Sequence, residues 1–280
     1  QDVAFDSSIM WNIDADARAF GPRISGCAFR GLRNGTSPAW MAQRLTAVGQ
    51  RPISALVDIT NYVMIDLGRP LHAYDINKIT GDSLTIRAAG DGEMMTALNE
   101  KEYKLDASMF IIADAHGADD LAGIMGGERT GVSEATTDMF LEVAIFDPVS
   151  VATTARKLNI NSDARYRFER GLDVTSPDWV QGYVARLVTS ICGGEASHVT
   201  TAGEGAQWQR EITLAADKVK RLTGMDVPAA DQVAILESLG FNVVAGDGEW
   251  TVNPPPWRGD IDGAADLVEE IGRIHGYEHL

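Results

Sequence analysis

The sequence predicts an α+β protein of two units, a larger one built on a central sheet and a smaller one that is winged-helix-like. Two observations predict this class. Before residue 200, short runs of strand-forming residues alternate with segments whose apolar residues recur at helical spacing. After a glycine-rich polar stretch at residues 200–209, the pattern is strand, two helices, hairpin and closing helix. The 280 residues, 45% of them hydrophobic, suffice for two cores.

The first helices of the larger unit are marked by their ends. Residues 1–20 are expected to form an irregular lead-in. Ser37 is the expected N-cap of the first helix, with Pro38 at its first position and Gly49 at its end. A second helix follows and ends at Gly68.

The middle of the chain has the composition of strands. The runs at residues 84–88, 109–113 and 139–146 are rich in strand-forming residues and lie between clusters of Gly, Asp and Asn. They predict a central antiparallel or mixed sheet. Two further helices are expected to begin at Asp147-Pro148 and at Ser176-Pro177, each with proline in its first turn.

The smaller unit is predicted element by element. The expected elements are a strand at 211–215, helices at 217–223 and 229–239, a hairpin pairing 241–244 with 249–252, and a helix at 263–274. The predicted organisation is therefore a lead-in over 1–20, the larger unit over 21–202, a linker over 203–209 and the smaller unit over 210–280.

Charge argues against a general nucleic-acid binder, because the net charge of −16 leaves no excess of basic residues. One stretch is an exception and holds five basic residues: Arg156, Lys157, Arg165, Arg167 and Arg170. It is either a surface for phosphates or a solvated face of mixed charge.

Cysteine content and hydropathy exclude further classes. Two cysteines, Cys27 and Cys192, are too few for a disulfide framework, so we expect buried free thiols in a reducing compartment. No apolar run is long enough to span a bilayer, and no secretory signal opens the chain. The chain begins at Gln1 rather than Met, which suggests a piece of a longer protein.

Common catalytic motifs are missing from the sequence. It contains no P-loop, no nucleophile elbow, no H-E-x-x-H and no C-x-x-C, and its five histidines are scattered. Glu142 is the first unusual residue, because the other residues from 139 to 146 are apolar and predict a strand buried on both faces. A carboxylate there either pairs with an arginine or backbone amides, or binds a polar group of a ligand.

Three other features are candidates for a site. Thr60 and Asn61 interrupt an apolar helical pattern, and His72 follows soon after. Gly126 and Gly127 end an apolar run, as a plain turn or where the backbone approaches a ligand closely.

Four carboxylates near the end of the chain fit either a hard cation or an acidic solvated surface. Asp266, Glu269 and Glu270 share one face of the closing helix by spacing, and Asp260 lies just before it. Oxygen ligands without sulfur or nitrogen favour Mg²⁺.

Several motifs, in order along the chain, resemble the β subunit of bacterial phenylalanyl-tRNA synthetase. They are RPISALVDITNYVM at 51–64, LGRPLHAYD at 67–75, GIMGGE at 123–128, DARYRFERG at 163–171, PWRGD at 256–260 and DLVEE at 266–270. The resemblance runs from residue 21 to the end and implies a B3/B4-type α/β editing domain followed by a winged-helix-like B5 domain.

The resemblance also implies a function. The family attaches phenylalanine to tRNA(Phe) with ATP as a cytoplasmic α2β2 enzyme. The synthetic site and the ATP belong to the α subunit, so this chain is not expected to bind ATP. Its B3/B4 domain is similar to a proofreading site that hydrolyses tyrosine wrongly attached to that tRNA.

Site residues carry over from the resemblance by position. The family's editing residues fall on His72, Gly126, Glu142, Ser162 and Ala164, with Thr60 and Asn61 beside them. Its magnesium ligands, described as shared with the α subunit, fall on Asp260, Asp266, Glu269 and Glu270. The tRNA-contact candidates are Arg156, Lys157, Arg165 and Arg167.

We expect each editing residue to have a distinct role. Glu142 would accept a hydrogen bond from the tyrosine phenol, and phenylalanine would leave that carboxylate unpaired. His72, Thr60 or Asn61 would hold the water or the terminal ribose. Backbone N–H groups near Gly126 and Gly127 would stabilise the oxyanion.

The sequence departs from the family pattern in places. Ser162 stands where the family often has Thr, and Gly259 where Phe is common. Because the family's N-terminal and C-terminal regions are missing, the chain is interpreted as a fragment. Two alternatives stay open: a non-catalytic module that docks tRNA and the α subunit, and a stand-alone editing hydrolase.

Overall fold

The computed structural model describes residues 5–205, 208–246 and 248–279. The chain divides into two compact units between residues 206 and 207, and each is described by itself. Residues 1–4, 206, 207 and 280 of the predicted lead-in, linker and smaller unit, and Asp247 of the hairpin turn, lie outside the described residues.

The larger unit contains eleven strands and five α-helices among its described residues. Its strands are β1 Met10–Ile13, β2 Arg23–Arg30, β3 His72–Asp75, β4 Ser83–Ala88, β5 Met94–Thr96, β6 Glu102–Lys104, β7 Phe110–Ala113, β8 Ala118–Leu121, β9 Met125–Gly126, β10 Met139–Ile145 and β11 Glu195–Gly203. Its helices are α1 Ala39–Ala47, α2 Ala55–Leu67, α3 Pro148–Lys157, α4 Asp163–Phe168 and α5 Ser176–Cys192.

The strands form two main sheets, where the sequence predicts a central antiparallel or mixed sheet. One sheet is antiparallel, in the order β11-β2-β10-β3, and the other is mixed, in the order β1-β4-β7-β8-β9. The predicted strands at 84–88, 109–113 and 139–146 are confirmed as β4, β7 and β10.

Two segments expected to be irregular are strands. Residues 10–13 of the predicted lead-in form β1, which pairs in parallel with β4. Residues 200–203 continue β11, which pairs with β2 across the start of the predicted linker. The structure therefore uses both ends of the larger unit to complete its sheets.

The antiparallel sheet separates two apolar cores. On one side of β10, Phe140 and Ala144 join a core that includes Tyr74 and extends to the mixed sheet. On the other side, Leu141 and Val143 join a core formed with α1, α2 and α5. The strand lies between β2 and β3 and is buried on both faces, as its composition predicts.

The helix starts marked by Pro148 and Pro177 are confirmed. The expected cap at Ser37 is wrong: α1 begins at Ala39 after Pro38, and the Ser37 hydroxyl donates instead to Asp58, 2.5 Å away. The helix α4, which the sequence did not indicate, follows Ser162.

The smaller unit has the predicted order of elements. Its strands are β12 Ile212–Ala215, β13 Asn242–Ala245 and β14 Glu249–Asn253, and its helices are α6 Lys218–Thr223, α7 Ala229–Ser238 and α8 Ala264–His275. The sheet order is β12-β14-β13, and the predicted hairpin is the antiparallel pair β13–β14. Its core includes Trp250, Leu236 and Leu267.

No helix within residues 5–205, 208–246 and 248–279 is long and apolar enough to cross a bilayer.

Candidate active site

Two adjoining cavities in the larger unit share His72, Gly126 and Ala164 in their walls. The inner cavity, about 50 Å³, is also lined by Asp120 and Glu142. The outer cavity, about 270 Å³, is also lined by Thr60 and Asn61. The fold therefore brings together most of the predicted editing residues, although they come from five elements of the chain: Thr60 and Asn61, His72, Gly126, Glu142 and Ala164.

Glu142 reaches the inner cavity because of its position in β10. It lies opposite Gly26 on β2 and His72 on β3. Side chains alternate along a strand, so Glu142 shares a face with Phe140 and Ala144 and points toward the core that contains Tyr74. Only 4% of Glu142 is exposed.

The partner of Glu142 is a tyrosine. The Tyr74 hydroxyl donates to Glu142 Oε2 over 3.0 Å. The arginine or backbone amides expected of a purely structural carboxylate do not contact it among the described residues. Burial raises the pKa of Glu142 to about 7, and the hydrogen bond from Tyr74 opposes that rise.

His72 lies in both cavity walls as a neutral imidazole. Burial lowers its pKa to about 4. Its ring packs edge-on against Tyr74, with ring centroids 4.4 Å apart. The Nε2 atom is buried without a hydrogen-bond partner, while Nδ1 lies 4.0 Å from Asp120 Oδ2. An imidazole with a free nitrogen can hold a water or a ligand group.

Gly126 is required by the closeness of His72. A Cβ at position 126 would overlap the imidazole ring. The neighbouring Gly127 cannot serve an oxyanion, because its N–H donates to the Asp119 carbonyl over 2.7 Å. This part of the expected oxyanion site is therefore wrong.

Thr60 and Asn61 lie on α2 at the wall of the outer cavity, both half-buried. The Thr60 hydroxyl donates to the Val57 carbonyl over 2.7 Å, within its own helix. It therefore accepts hydrogen bonds more readily than it donates them.

Ser162 does not line either cavity, contrary to its predicted role in substrate binding. It caps α4, because its hydroxyl accepts from the Arg165 N–H at 3.0 Å. The same hydroxyl donates to the Ile124 carbonyl at 2.6 Å. It thus fixes the first turn of α4, which carries Ala164, against the segment before Gly126.

Two residues, one in the wall of the inner cavity and one behind it, were not identified from the sequence. Asp120, on β8, is 5% exposed, and its Oδ2 lies 3.4 Å from the Tyr74 hydroxyl. Tyr74 belongs to a quoted motif but received no role. The signal for Asp120 is the one that identified Glu142, a carboxylate beside apolar residues, here Leu121 and Ala122.

The four carboxylates of the smaller unit do not form a metal site in this chain. Arg258 pairs with Asp260 at 2.7 Å and with Glu270 at 2.9 Å. Asp266 Oδ2 accepts the backbone N–H groups of residues 262 and 263 at the start of α8. Glu269 is exposed. Nowhere in the part of the chain that the structure describes do three or more potential ligands gather, so the arrangement does not fit Mg²⁺.

The basic stretch lies on α3 and α4, with Arg170 just after α4, and is largely ion-paired. Lys157 contacts Asp106 at 2.6 Å, and Arg165 contacts Glu169 at 3.0 Å. Arg167 and Arg170 have similar carboxylate partners at 3.2 and 2.8 Å. Arg156 is exposed and forms no ion pair with any described residue.

The family described as "B3/4 domain" matches residues 21–193, which contain the whole candidate site. The chain belongs to the B3/4 domain family. The description "tRNA synthetase B5 domain" matches residues 212–277, after the B3/4 domain.

Curated relatives match this chain over almost its whole length. A phenylalanine–tRNA ligase β subunit of Paramagnetospirillum magneticum is 47% identical over 99% of this chain and 35% of its own length. Those of Brucella abortus and Rhodospirillum rubrum are each 48% identical over 95% and 98% of the chain. These relatives confirm the resemblance to the synthetase β subunit. The chain spans about a third of their length.

A solved N-terminal fragment of the phenylalanyl-tRNA synthetase β subunit from Pyrococcus horikoshii is also similar. It is 15% identical with a TM-score of 0.47, covering 99% of this chain and 78% of the other. The family assignment does not depend on it.

Proposed function

We propose that the B3/4 domain is a proofreading site that hydrolyses tyrosine from misacylated tRNA(Phe). The single observation that carries the proposal is a buried carboxylate, Glu142, in the wall of a cavity that is otherwise mostly apolar. Such a carboxylate accepts a hydrogen bond from a phenol hydroxyl, which phenylalanine lacks.

The reaction is attack of water on the ester that joins the amino acid to the terminal ribose. The water oxygen bonds to the ester carbon, the bond to the ribose oxygen breaks, and the ribose oxygen leaves with a proton. Neutral His72, with Nε2 free, orients the water or the ribose. A pKa of about 4 makes it a weak base, so positioning is its main contribution.

Tyr74 limits how strongly Glu142 can reject phenylalanine. A bound phenylalanine would not leave Glu142 unpaired, because Oε2 already accepts the Tyr74 hydroxyl. Discrimination therefore comes from the extra hydrogen bond that the substrate phenol adds, of about 1.5–3 kcal/mol for a charged acceptor. The sequence alone predicts stronger discrimination, because it implies that phenylalanine leaves the Glu142 carboxylate unpaired.

The rest of the enzyme's activity is proposed from the relatives. The chain would act within a cytoplasmic phenylalanine–tRNA ligase of two α and two β subunits, and the whole enzyme would use ATP. Two buried free cysteines, Cys27 and Cys192, agree with a reducing compartment. Magnesium shared with the α subunit stays a prediction, because the acidic side chains of this chain do not fit it as arranged.

A deacylation assay tests the proposal. The assembled ligase should release tyrosine from Tyr-tRNA(Phe) much faster than phenylalanine from Phe-tRNA(Phe). Glu142→Ala should slow tyrosine release by roughly tenfold or more, the loss of one hydrogen bond to a charged group. Phenylalanine attachment should stay near normal.

The alternatives give other outcomes. A docking module predicts no deacylation even in the wild-type enzyme. A stand-alone hydrolase predicts full activity of the chain without the α subunit. A structural role for Glu142 predicts a lower melting temperature and parallel loss of both activities in Glu142→Ala. Unchanged tyrosine release by a folded Glu142→Ala enzyme would contradict the assignment.

A further inference from the structure

Two carboxyl groups flank one hydroxyl behind the inner cavity. The Tyr74 hydroxyl lies 3.0 Å from Glu142 Oε2 and 3.4 Å from Asp120 Oδ2. One hydroxyl carries one proton, so it cannot donate to both carboxylates at full strength. Tyr74 and Phe140 beside the pair are fully buried, so bulk water does not screen the two charges.

The pair lacks a cationic partner among the residues that the structure describes. Within the described residues, neither Asp120 nor Glu142 forms an ion pair with lysine or arginine. The basic side chain beside the pair is His72, whose Nδ1 is 4.0 Å from Asp120. Burial keeps this imidazole neutral, so it does not compensate a negative charge. Arg129 pairs with Asp119, the residue before Asp120, and not with the pair itself.

Two buried carboxylates that flank one hydroxyl cannot both be ionised without a large penalty. The shorter distance identifies Glu142 as the acceptor of the Tyr74 proton. The remaining lone pair of the Tyr74 oxygen can then accept from Asp120, provided that Asp120 carries a proton. The Oδ1 atom of Asp120 is buried without a partner, which suits a neutral acid better than a carboxylate.

We propose that Asp120 holds the single proton of this pair and donates it to Tyr74, which keeps Glu142 ionised toward the cavity. Asp120 is then a positioning residue for the carboxylate that contacts the substrate. This role rests in part on the proposed editing function, but the protonation state can be tested without it.

Burial and the surrounding charges favour a protonated Asp120. His72 and Tyr74 on β3 lie beside the pair, and Asp119 on β8 acts on Asp120 through its charge. Burial and the charges of Glu142 and Asp119 raise the pKa of Asp120 well above its usual range. Burial also raises the pKa of Glu142, to about 7, and the hydrogen bond from Tyr74 opposes that rise. The shorter hydrogen bond from Tyr74 assigns the negative charge to Glu142.

Infrared difference spectroscopy of the 280-residue chain tests where the proton is. At mildly alkaline pH, the wild type should show the carbonyl band of a protonated carboxylic acid, shifted in heavy water. Asp120→Asn should abolish the band. Asp58→Asn is the matched control and should leave the band, because both oxygens of that buried aspartate accept hydrogen bonds. A wild type without the band, or a band that survives Asp120→Asn, would overturn the proposal.

Deacylation of Tyr-tRNA(Phe) by the assembled ligase tests the consequence. Asparagine at 120 still offers a neutral donor to Tyr74, whereas leucine offers none. Asp120→Leu should reduce kcat/KM for the tyrosyl ester by roughly tenfold, mainly by raising KM. Asp120→Asn should keep kcat/KM close to the wild-type value. Equal losses in both variants would show that the charge of Asp120 is needed and would contradict the proposal. If wild-type ligase fails to deacylate, the editing function is wrong, while the infrared result still decides the protonation.

Discussion

At the scale of single residues, the site is built from groups that would be unfavourable elsewhere. Glu142 carries a carboxylate into a strand between two cores, and its partner there is an uncharged hydroxyl. His72 is held neutral, with a nitrogen left free. Buried ionisable groups without charged partners reduce stability, and such groups concentrate at functional sites.

The raised pKa of Glu142 predicts a pH-dependent stability. Its value of about 7 in the folded chain lies above the ordinary value of 4.5. Between these pH values the unfolded chain loses the proton and the folded chain keeps it, so the free energy of unfolding falls as pH rises. Glu142→Gln removes this titration. Its stability relative to wild type should rise from pH 4.5 to pH 7 by on the order of 3 kcal/mol.

Urea unfolding of both chains at several pH values measures that difference. His72 has the opposite effect, because its lowered pKa gives stability above 6.5 that is lost toward 4, but it is present in both chains and cancels. A stability difference independent of pH would contradict a raised pKa at Glu142.

Gly126 gives a second prediction at this scale. A methyl group there would overlap the His72 ring, so Gly126→Ala should lower stability by about 1–3 kcal/mol and abolish deacylation. Gly182→Ala on α5 is the matched control, because its Cβ meets open space and helix propensity should make it neutral or stabilising. Thermal melting compares the two.

The double variant Gly126→Ala/His72→Ala tests the cause. Removing the ring removes the overlap, so stability should recover while deacylation should not. A Gly126→Ala chain as stable as wild type would show that the ring moves aside easily.

At this scale, the sequence reveals a candidate site residue when its polarity differs from that of its neighbours. Glu142 stands out in an apolar run, and its burial follows from that run. Its partner could not be inferred, because Tyr74 looks like an ordinary strand residue and contacts Glu142 only through the pairing of β3 with β10. Asp120 is also a carboxylate next to apolar residues, but Asp119 and the nearby glycines interrupt the apolar run and make the pattern harder to detect.

At the scale of elements, α4 joins the cavity to the basic surface. Its first turn carries Ala164 at the cavity wall, and its later residues Arg165 and Arg167 are half-buried with carboxylate partners. Of the basic residues in this stretch, Arg156 alone lacks an ion pair with the described residues. It is therefore the side chain most available to a phosphate.

Arg156→Glu should weaken the binding of tRNA(Phe) and reduce the salt dependence of that binding. Each phosphate contact contributes about −0.9 to the slope of log affinity against log salt for duplex, so one lost contact should lower the slope by about one. Filter binding at several salt concentrations measures it. The control is Arg221→Glu, an exposed arginine already paired with Asp217. Equal effects of the two changes would contradict a local contact and favour a solvated basic face.

The sequence predicts helices and hairpins whose ends are marked by proline or turn residues. It does not predict elements whose ends lack such residues. Prolines fixed the starts of α3 and α5, and the turn of the smaller unit fixed its hairpin. The strand β2 contains Ser25 and Gly26 and is buried on both faces, so it shows no alternation. The short helix α4 is rich in charge and has only one buried residue, Phe168.

At the scale of the whole molecule, the B5 domain is the part of the chain in which a magnesium ion is predicted to bind. The resemblance predicts Mg²⁺ at Asp260, Asp266, Glu269 and Glu270, but Arg258 already neutralises the first and last of these. The bidentate contact of a guanidinium with a carboxylate competes directly with a divalent ion.

Calorimetry on this chain should therefore detect no Mg²⁺ binding tighter than about millimolar, the weak end of hard-cation affinities. Its melting temperature should not change when magnesium is replaced by a chelator. The assembled ligase is the comparison, since the resemblance describes the ion as shared with the α subunit. Tight binding of Mg²⁺ by this chain would contradict this expectation, and would show that the ion readily displaces Arg258 from the carboxylates.

The position of β10 has a consequence for motion. It is hydrogen-bonded to a strand on each side and covered by a core on each face, so its amides should exchange with solvent only when the whole larger unit opens. Helix α4, six residues long with one buried side chain, should open locally and far more often. A ligand would then enter by movement of the wall that carries Ala164, while the floor that carries Glu142 stays fixed.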